Sequence, residues 1–262
     1  LVVRAFVQPG EGVVVSAHAF AVYVLCASAA GAKLQETPAR NWGHDLDAMF
    51  DMVDRETRAV FIANPNNPTG TWVTSTKLRQ FLDALPSHVI AVVDEAYFEY
   101  VEEAEYPDCI EMLPTYPNLI VTRTFSKIYG VAAMRLGYAI AKPELIDRMR
   151  PYSTGSVNAL VKWGGVAALK DKESEKWVLD KTVELREKMI AGVKSMGFDV
   201  LPSNTNFFMM HTVRPSSEFR SAFRERGVAV GRDFPPMLDW LRVSVGNEEE
   251  NERFMQALKE IA

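Results

Sequence analysis

Lys127 stands in a setting that suits covalent chemistry. It lies within Thr124-Phe125-Ser126-Lys127-Ile128-Tyr129-Gly130, and Arg135 follows eight residues later. The apolar run before it, Leu119-Ile120-Val121, reads as a buried strand. A primary amine can form a Schiff base with a carbonyl. The hydroxyls of Thr124 and Ser126 and the guanidinium of Arg135 can hold a phosphate beside that amine. Pyridoxal phosphate needs this pairing of an imine-forming amine with a dianion clamp. Most lysines are solvated surface charges. This one is surrounded by Phe125, Ile128 and Tyr129, and apolar surroundings with a nearby cation favour the neutral amine.

Three other stretches carry candidate groups, each with a bland reading beside the functional one. Asn64-Pro65-Asn66-Asn67-Pro68-Thr69-Gly70 is either a plain Pro/Asn/Gly turn or a turn that sets the Asn67 amide against a ligand. Asp94 ends an apolar run, and a buried carboxylate needs a partner. A structural salt bridge would serve, and so would the protonated nitrogen of a pyridine ring, which keeps that ring an electron sink. Tyr97 follows at i+3 and could reach the same ligand. Arg242 lies in Trp240-Leu241-Arg242-Val243-Ser244-Val245, where its fork suits a carboxylate or a phosphate. Phe20, after His18, reads as core packing slightly ahead of stacking on a ring. Arg232 is equally a second anion contact or a surface charge.

The elements that must position these groups alternate. Apolar runs at 13–15, 59–63, 89–93, 119–121 and 137–141 read as strands, with a helix over about 75–85. Continuous apolar strands separated by helices predict a mostly parallel sheet covered on both faces, an α/β fold. Ligands of such sheets gather at the carboxyl ends of the strands, where Asn67, Asp94 and Lys127 fall. Later, helices are expected over 158–169, 172–196, 217–226 and 248–261, with strands near 198–201, 206–210, 228–230 and 241–245. The expected organisation is a large domain over 1–165 and a smaller α+β domain over 166–262, with a junction helix at about 172–196.

Composition narrows the class without identifying it. The 262 residues are 48% apolar and 24% charged, with a net charge of -5. Nothing there calls for nucleic acid or an anionic membrane as partner, and no apolar run approaches a bilayer span. Cys26 and Cys109 match no metal spacing, and reduced thiols are expected ahead of a disulfide. The opening Leu1-Val2-Val3-Arg4-Ala5-Phe6 reads as the middle of a helix without an initiating methionine, so the native N-terminus is expected to precede it. A cytoplasmic location is therefore only a default.

Taken in order, these segments resemble the fold-type-I pyridoxal-phosphate aminotransferases, and among them the histidinol-phosphate aminotransferase group. The resemblance rests on Ser16 to Tyr23, Asn64 to Gly70, Val93 to Tyr97, Thr124 to Lys127, Arg135 to Tyr138, Asn204 to Phe207 and Leu241 to Ser244. It implies roles. Lys127 would carry pyridoxal 5′-phosphate and shuttle a proton. Asp94 would bind the ring nitrogen, and Asn67 and Tyr97 the phenolic oxygen. Thr124, Ser126 and Arg135 would bind the phosphate, Phe20 would take the stacking position, and Arg242 would hold the substrate anion. It further implies a homodimer, a small amino-acid or amino-phosphate substrate, and ping-pong transfer with glutamate and 2-oxoglutarate. Ile128, Ala133 and the segment Gly231 to Met237 depart from the group's pattern, the last in a region that shapes the substrate pocket. Three alternatives stay open: an aromatic or broad-specificity aminotransferase, a decarboxylase on the same fold, and a non-catalytic fragment.

Overall fold

Runs of β-branched and small apolar residues build a six-stranded sheet. The chain is described by a computed structural model covering residues 1–153 and 155–262. The strands are β1 (Gly12–Ser16), β2 (Lys33–Thr37), β3 (Thr57–Ala63), β4 (Ile90–Asp94), β5 (Leu119–Thr124) and β6 (Gly137–Ala141). Their order is β2-β1-β3-β4-β5-β6. All neighbours pair in parallel except β5 and β6, which are antiparallel.

Alternate side chains of each strand enter two separate cores. Val14, Val60, Ile62, Ala91, Val93 and Val121 pack on one face with Leu46 and Met49 of α3 (Leu46–Asp51) and Leu78, Phe81 and Leu82 of α4 (Ser75–Ala84). Val13, Val15, Phe61, Val92 and Ile120 pack on the other, against Val3 and Phe6 of α1 (Val2–Phe6) and Tyr23 and Ala27 of α2 (Val22–Ala29). Two shorter helices, α5 (Cys109–Met112) and α6 (Pro143–Met149), complete this part of the chain. Cys26 is exposed and Cys109 buried, and both are free thiols.

The rest forms a second layer with its own core. Helices α7 (Ala159–Lys170), α8 (Lys172–Ser195), α9 (Ser216–Glu225) and α10 (Glu248–Ile261) accompany an antiparallel pair, β7 (Phe207–His211) and β8 (Trp240–Ser244). Local signals fix the helix starts. Asn158 accepts the Leu160 amide at 2.8 Å and Asp171 accepts that of Ser174 at 3.0 Å. Asn247 and Glu250 form a reciprocal capping box at the start of α10. Met189, Val193, Phe208, Met210, Phe223, Leu241, Phe254 and Leu258 fill the core between these elements. None of the described helices is long and apolar enough to cross a membrane.

Several elements differ from the sequence reading. The segment 198–201 is not a strand: it makes one bridge, Val200 to Met210. The segment 228–230 is irregular, and Gly231 N–H donates to the Arg242 carbonyl at 2.9 Å. Strand β2 and helices α2, α3, α5 and α6 carry no clear periodic signal. Strand β2, Lys-Leu-Gln-Glu-Thr, is a partly exposed edge, whose polar face hides it from an apolar-run criterion. Residue 165, where the sequence reading ends the first unit, lies inside α7.

Candidate active site

The carboxyl ends of β3, β4 and β5 bring the first candidates together. Asp94 is itself the last residue of β4, paired in register with Thr122 of β5. The phenol of Tyr23, on α2, donates to Asp94 Oδ2 at 2.6 Å. Burial pushes the Asp94 carboxyl up from its ordinary value, while hydrogen bonds from Tyr23, Thr122 and the Ala96 amide and the charge of Lys127 pull it back down. Burial, and then Asp94 itself, push the Tyr23 phenol well above its usual range, so it stays a donor. The carboxylate that the sequence expects to face a cation thus rests on a neutral phenol instead. Sequence reasoning gave Tyr23 no role, although its place three residues after Phe20 sets both rings on one side of the α2 entry, edge to face at 5.7 Å.

The Asn/Pro turn carries both of its proposed readings. Asn64 and Asn66 are structural: Asn64 Oδ1 accepts the Val73 amide at 2.8 Å, and Asn66 Nδ2 donates to the His18 carbonyl at 2.8 Å and to Thr69 Oγ1 at 2.9 Å. Gly70 closes the turn at φ +76°, and a Cβ there would overlap the Ser203 side chain. Asn67 is left to face the cavity. Its Oδ1 accepts from Arg242 Nη1 at 2.8 Å, joining the first sheet to β8.

Lys127 is half-buried beyond the end of β5, its Nζ 5.0 Å from the centroid of the Tyr97 ring. Tyr97 meets Phe207 of β7 edge to face at 5.2 Å. Phe20, Tyr23, Asn67, Asp94, Tyr97 and Lys127, with Ala63, Pro65 and Ala96, enclose a cavity of ≈ 80 Å³. Phe20 therefore does two things, lining this cavity and packing against the α1/α2 core.

The phosphate-clamp candidates do not line that cavity. Thr124 Oγ1 accepts the Ser126 amide at 3.1 Å and donates to the Leu136 carbonyl at 3.4 Å. Arg135 adopts a left-handed backbone at φ 52°, is exposed, and donates to the Ala132 carbonyl at 2.9 Å. All three sit on the segment that carries Lys127.

Arg242 is a half-buried cation with no acid in contact among the described residues. Its guanidinium lies 5.0 Å from the Phe207 ring centroid and 4.9 Å from that of Phe234, and its Nε is buried with no partner. Burial, aided by the charge of Arg232, lowers its pKa against the pull of Tyr97. Asp233 cannot neutralise it, being engaged with Arg220 at 3.0 Å and Ser216 at 3.1 Å. Arg232 is exposed, 4.3 Å from the other partner ring, Phe234, and bonded to the Asp233 carbonyl at 2.8 Å. The aromatic pair Phe207 and Phe234 was not anticipated. Both stood within noticed segments, Asn204 to Phe207 and Gly231 to Met237, but Phe234 lies in irregular chain, and no periodic trace marks either ring as a neighbour of Arg242.

Gly231 positions this arginine. A Cβ at 231 would lie 2.7 Å from the Arg242 carbonyl oxygen and 3.0 Å from its Cβ. Gly231→Ala must push β8 and the irregular chain at 228–231 apart, and misplacing a binding group by about 1 Å costs about 100-fold. The expected result is a KM raised about tenfold or more, with the visible absorbance of cofactor-loaded protein unchanged. An unaltered KM would show that Arg242 is not the anion contact.

A family model for class I and II aminotransferases matches residues 1–258. The chain belongs to that family. It is thereby an enzyme that transfers amino groups with pyridoxal 5′-phosphate, on the type I fold, as the sequence motifs imply. Histidinol-phosphate aminotransferase 2 of Pseudomonas fluorescens Pf0-1 is 42% identical over 267 residues, covering 100% of this aminotransferase and 71% of the relative. The protein of the same name from Methylococcus capsulatus is 44% identical over 275 residues, covering 100% of this chain and 72% of its own. Among solved structures, histidinol-phosphate aminotransferase from Sinorhizobium meliloti in complex with pyridoxal 5′-phosphate superposes with a TM-score of 0.90 at 28% identity, covering all of this chain and 74% of that one.

Proposed function

We propose that this aminotransferase exchanges an amino group between histidinol phosphate and 2-oxoglutarate, in two half-reactions at one site. The observation that carries the reading is Arg242, a half-buried guanidinium with no acid in contact among the described residues, a buried Nε without a partner among them and a hydrogen bond to Asn67. Such a group needs an anion. Its fork matches paired oxygens, so it can take the α-carboxylate of glutamate in one half-reaction and the phosphate of histidinol phosphate in the other. The curated relatives bear the name of the phosphorylated substrate.

The residues also fit the family cofactor. A carboxylate whose burial calls for a positive partner stands at one end of the cavity, and a lysine amine at the same cavity. The volume of ≈ 80 Å³ suits part of a ring, which leaves the phosphate for the Thr124, Ser126 and Arg135 segment outside it. When bound, pyridoxal phosphate supplies an electrophilic carbonyl carbon and an electron sink. Asp94 would hold the ring nitrogen in place of the Tyr23 phenol, Asn67 and Tyr97 the phenolic oxygen, and Phe20 a ring face. Lys127 would carry the cofactor, and its freed amine would then take the proton from the substrate Cα as general base and deliver it as general acid to C4′ of the cofactor.

Two-substrate kinetics test the reading. With histidinol phosphate and 2-oxoglutarate as the pair, double-reciprocal plots are expected to be parallel, with glutamate as product. With an α-amino acid in place of histidinol phosphate, release of carbon dioxide without a keto acid product would make the enzyme a decarboxylase. Turnover of aromatic amino acids but not histidinol phosphate would keep the chemistry and discard the substrate.

A further inference from the structure

At the end of the sheet opposite Asp94 lies a second cavity, of ≈ 520 Å³, among Phe6, Arg55, Arg58, His88, Ile90 and Arg148. Gln8, Glu11, Ser87 and Leu145 complete its lining. Ile90 starts β4 and Asp94 ends it, so the two sites stand about 13 Å apart along one strand. The volume falls within the range of small-molecule pockets.

The charge of this cavity is unbalanced in a chain whose net charge is -5. Glu11 is its one acidic lining residue, and both of its oxygens are taken: Oε1 by Arg58 Nε at 2.8 Å and Oε2 by the Gln8 amide at 2.8 Å. The neighbouring acids are engaged as well. Asp147 pairs with Arg150 at 3.2 Å, and Asp54 accepts the amides of Glu56 and Thr57 at 2.8 and 2.9 Å. Glu56 and Glu144 are exposed and do not line the cavity. Arg58 spends its Nη1 on the carbonyls of Arg55 and Thr57.

Two guanidiniums remain available. Arg55 is exposed, and its side chain has no hydrogen bond or ion pair among the described residues. Arg148 is oriented by its fixed end: Nε donates to the Ala5 carbonyl at 3.0 Å and the guanidinium lies 4.7 Å from the Phe6 ring centroid. Its terminal nitrogens have no partner among the described residues. His88 adds a ring N–H at the same rim. Beneath them, Phe6 and Ile90 are buried and Leu145 half-buried, an apolar floor under a cationic rim.

We infer that this cavity binds a small phosphate monoester, with its dianion on Arg55, Arg148 and His88 and an apolar ring or chain over Phe6, Ile90 and Leu145. Two forks and an N–H match the oxygens of a phosphate, and the floor selects an ester over the free ion. The site stands apart from the amino-transfer reaction and does not depend on its substrate.

The test is calorimetric titration of the cofactor-loaded chain with phenyl phosphate and, separately, inorganic phosphate. The double variant Arg55→Ala/Arg148→Ala is expected to bind phenyl phosphate about 10- to 100-fold more weakly, the loss of charged hydrogen bonds. Arg242→Ala, altered at the other site, is expected to retain this binding. Because Arg148 also braces α1, the single variant Arg55→Ala, at an exposed residue, carries the test on its own with about a tenfold loss. Both cavity variants should turn over substrate at the unaltered rate. Phenyl phosphate binding that survives the double variant, or that vanishes in Arg242→Ala alone, would overturn the proposal. Equal affinity for inorganic phosphate would overturn the ester class.

Discussion

Lys127→Ala is expected to lower transamination by more than about 10⁴-fold, since it removes both the covalent attachment and the proton carrier. Folding should be nearly untouched. Lys127 makes no ion pair among the described residues, and its Nζ only overlies the Tyr97 ring at 5.0 Å. A thermal midpoint within a few degrees of the parent, together with loss of turnover, fits a catalytic lysine. Substantial residual turnover would remove Lys127 from the mechanism. A large fall in thermal midpoint would mean that its role is structural.

Asp94→Asn separates function from stability in opposite directions. The amide keeps the shape and can still accept from the Tyr23 phenol, but it cannot supply the negative charge that holds a protonated ring nitrogen. A loss of about 10²- to 10³-fold in kcat is expected, the scale of removing one preorganised electrostatic contact. The stability of the cofactor-free protein should move the other way. Burial raises the folded-state pKa of Asp94 above the ordinary carboxyl value of 3.8. A carboxyl raised in this way leaves stability undiminished below pH 3.8 and erodes it as the pH rises through the folded-state value. Asp94→Asn removes that erosion, so its advantage over the parent should grow as pH rises above 4 or so. Thermal midpoints of both proteins across that range measure it. An advantage that shrinks with rising pH would show that the carboxylate is favoured, not penalised, by its site.

Much of this arrangement was legible in the sequence for definite reasons. Strands β3, β4 and β5 are buried on both faces, so they appear as uninterrupted runs such as Ala59 to Ala63 and Val89 to Val93. The residues after such runs fall at the ligand end of the sheet by topology alone, which is why Asn67, Asp94 and Lys127 could be read together. Edge strand β2 escaped notice because Lys33 and Glu36 are exposed and interrupt the run. What remained hidden depends on long-range contact. Tyr23 meets Asp94 across 71 positions and Arg242 meets Asn67 across 175, and no local spacing encodes either pair. The direction of a flexible side chain is likewise absent from the sequence. Arg135 turns to its own Ala132 carbonyl, although its place after the lysine suggests a phosphate ligand. The apolar cradle of Phe207 and Phe234 around Arg242 joins a regular strand to an irregular loop, so the sequence marked both segments but not their meeting at this guanidinium.

The most direct measurement is borohydride reduction of the chain loaded with pyridoxal phosphate, followed by mass mapping of its peptides. Reduction locks the cofactor onto whichever amine holds it. The geometry around Asp94, Tyr97 and Asn67 predicts a single modified peptide, the one containing Lys127. Attachment to any other lysine, or no attachment at all, would contradict the assignment of this cavity as the active site.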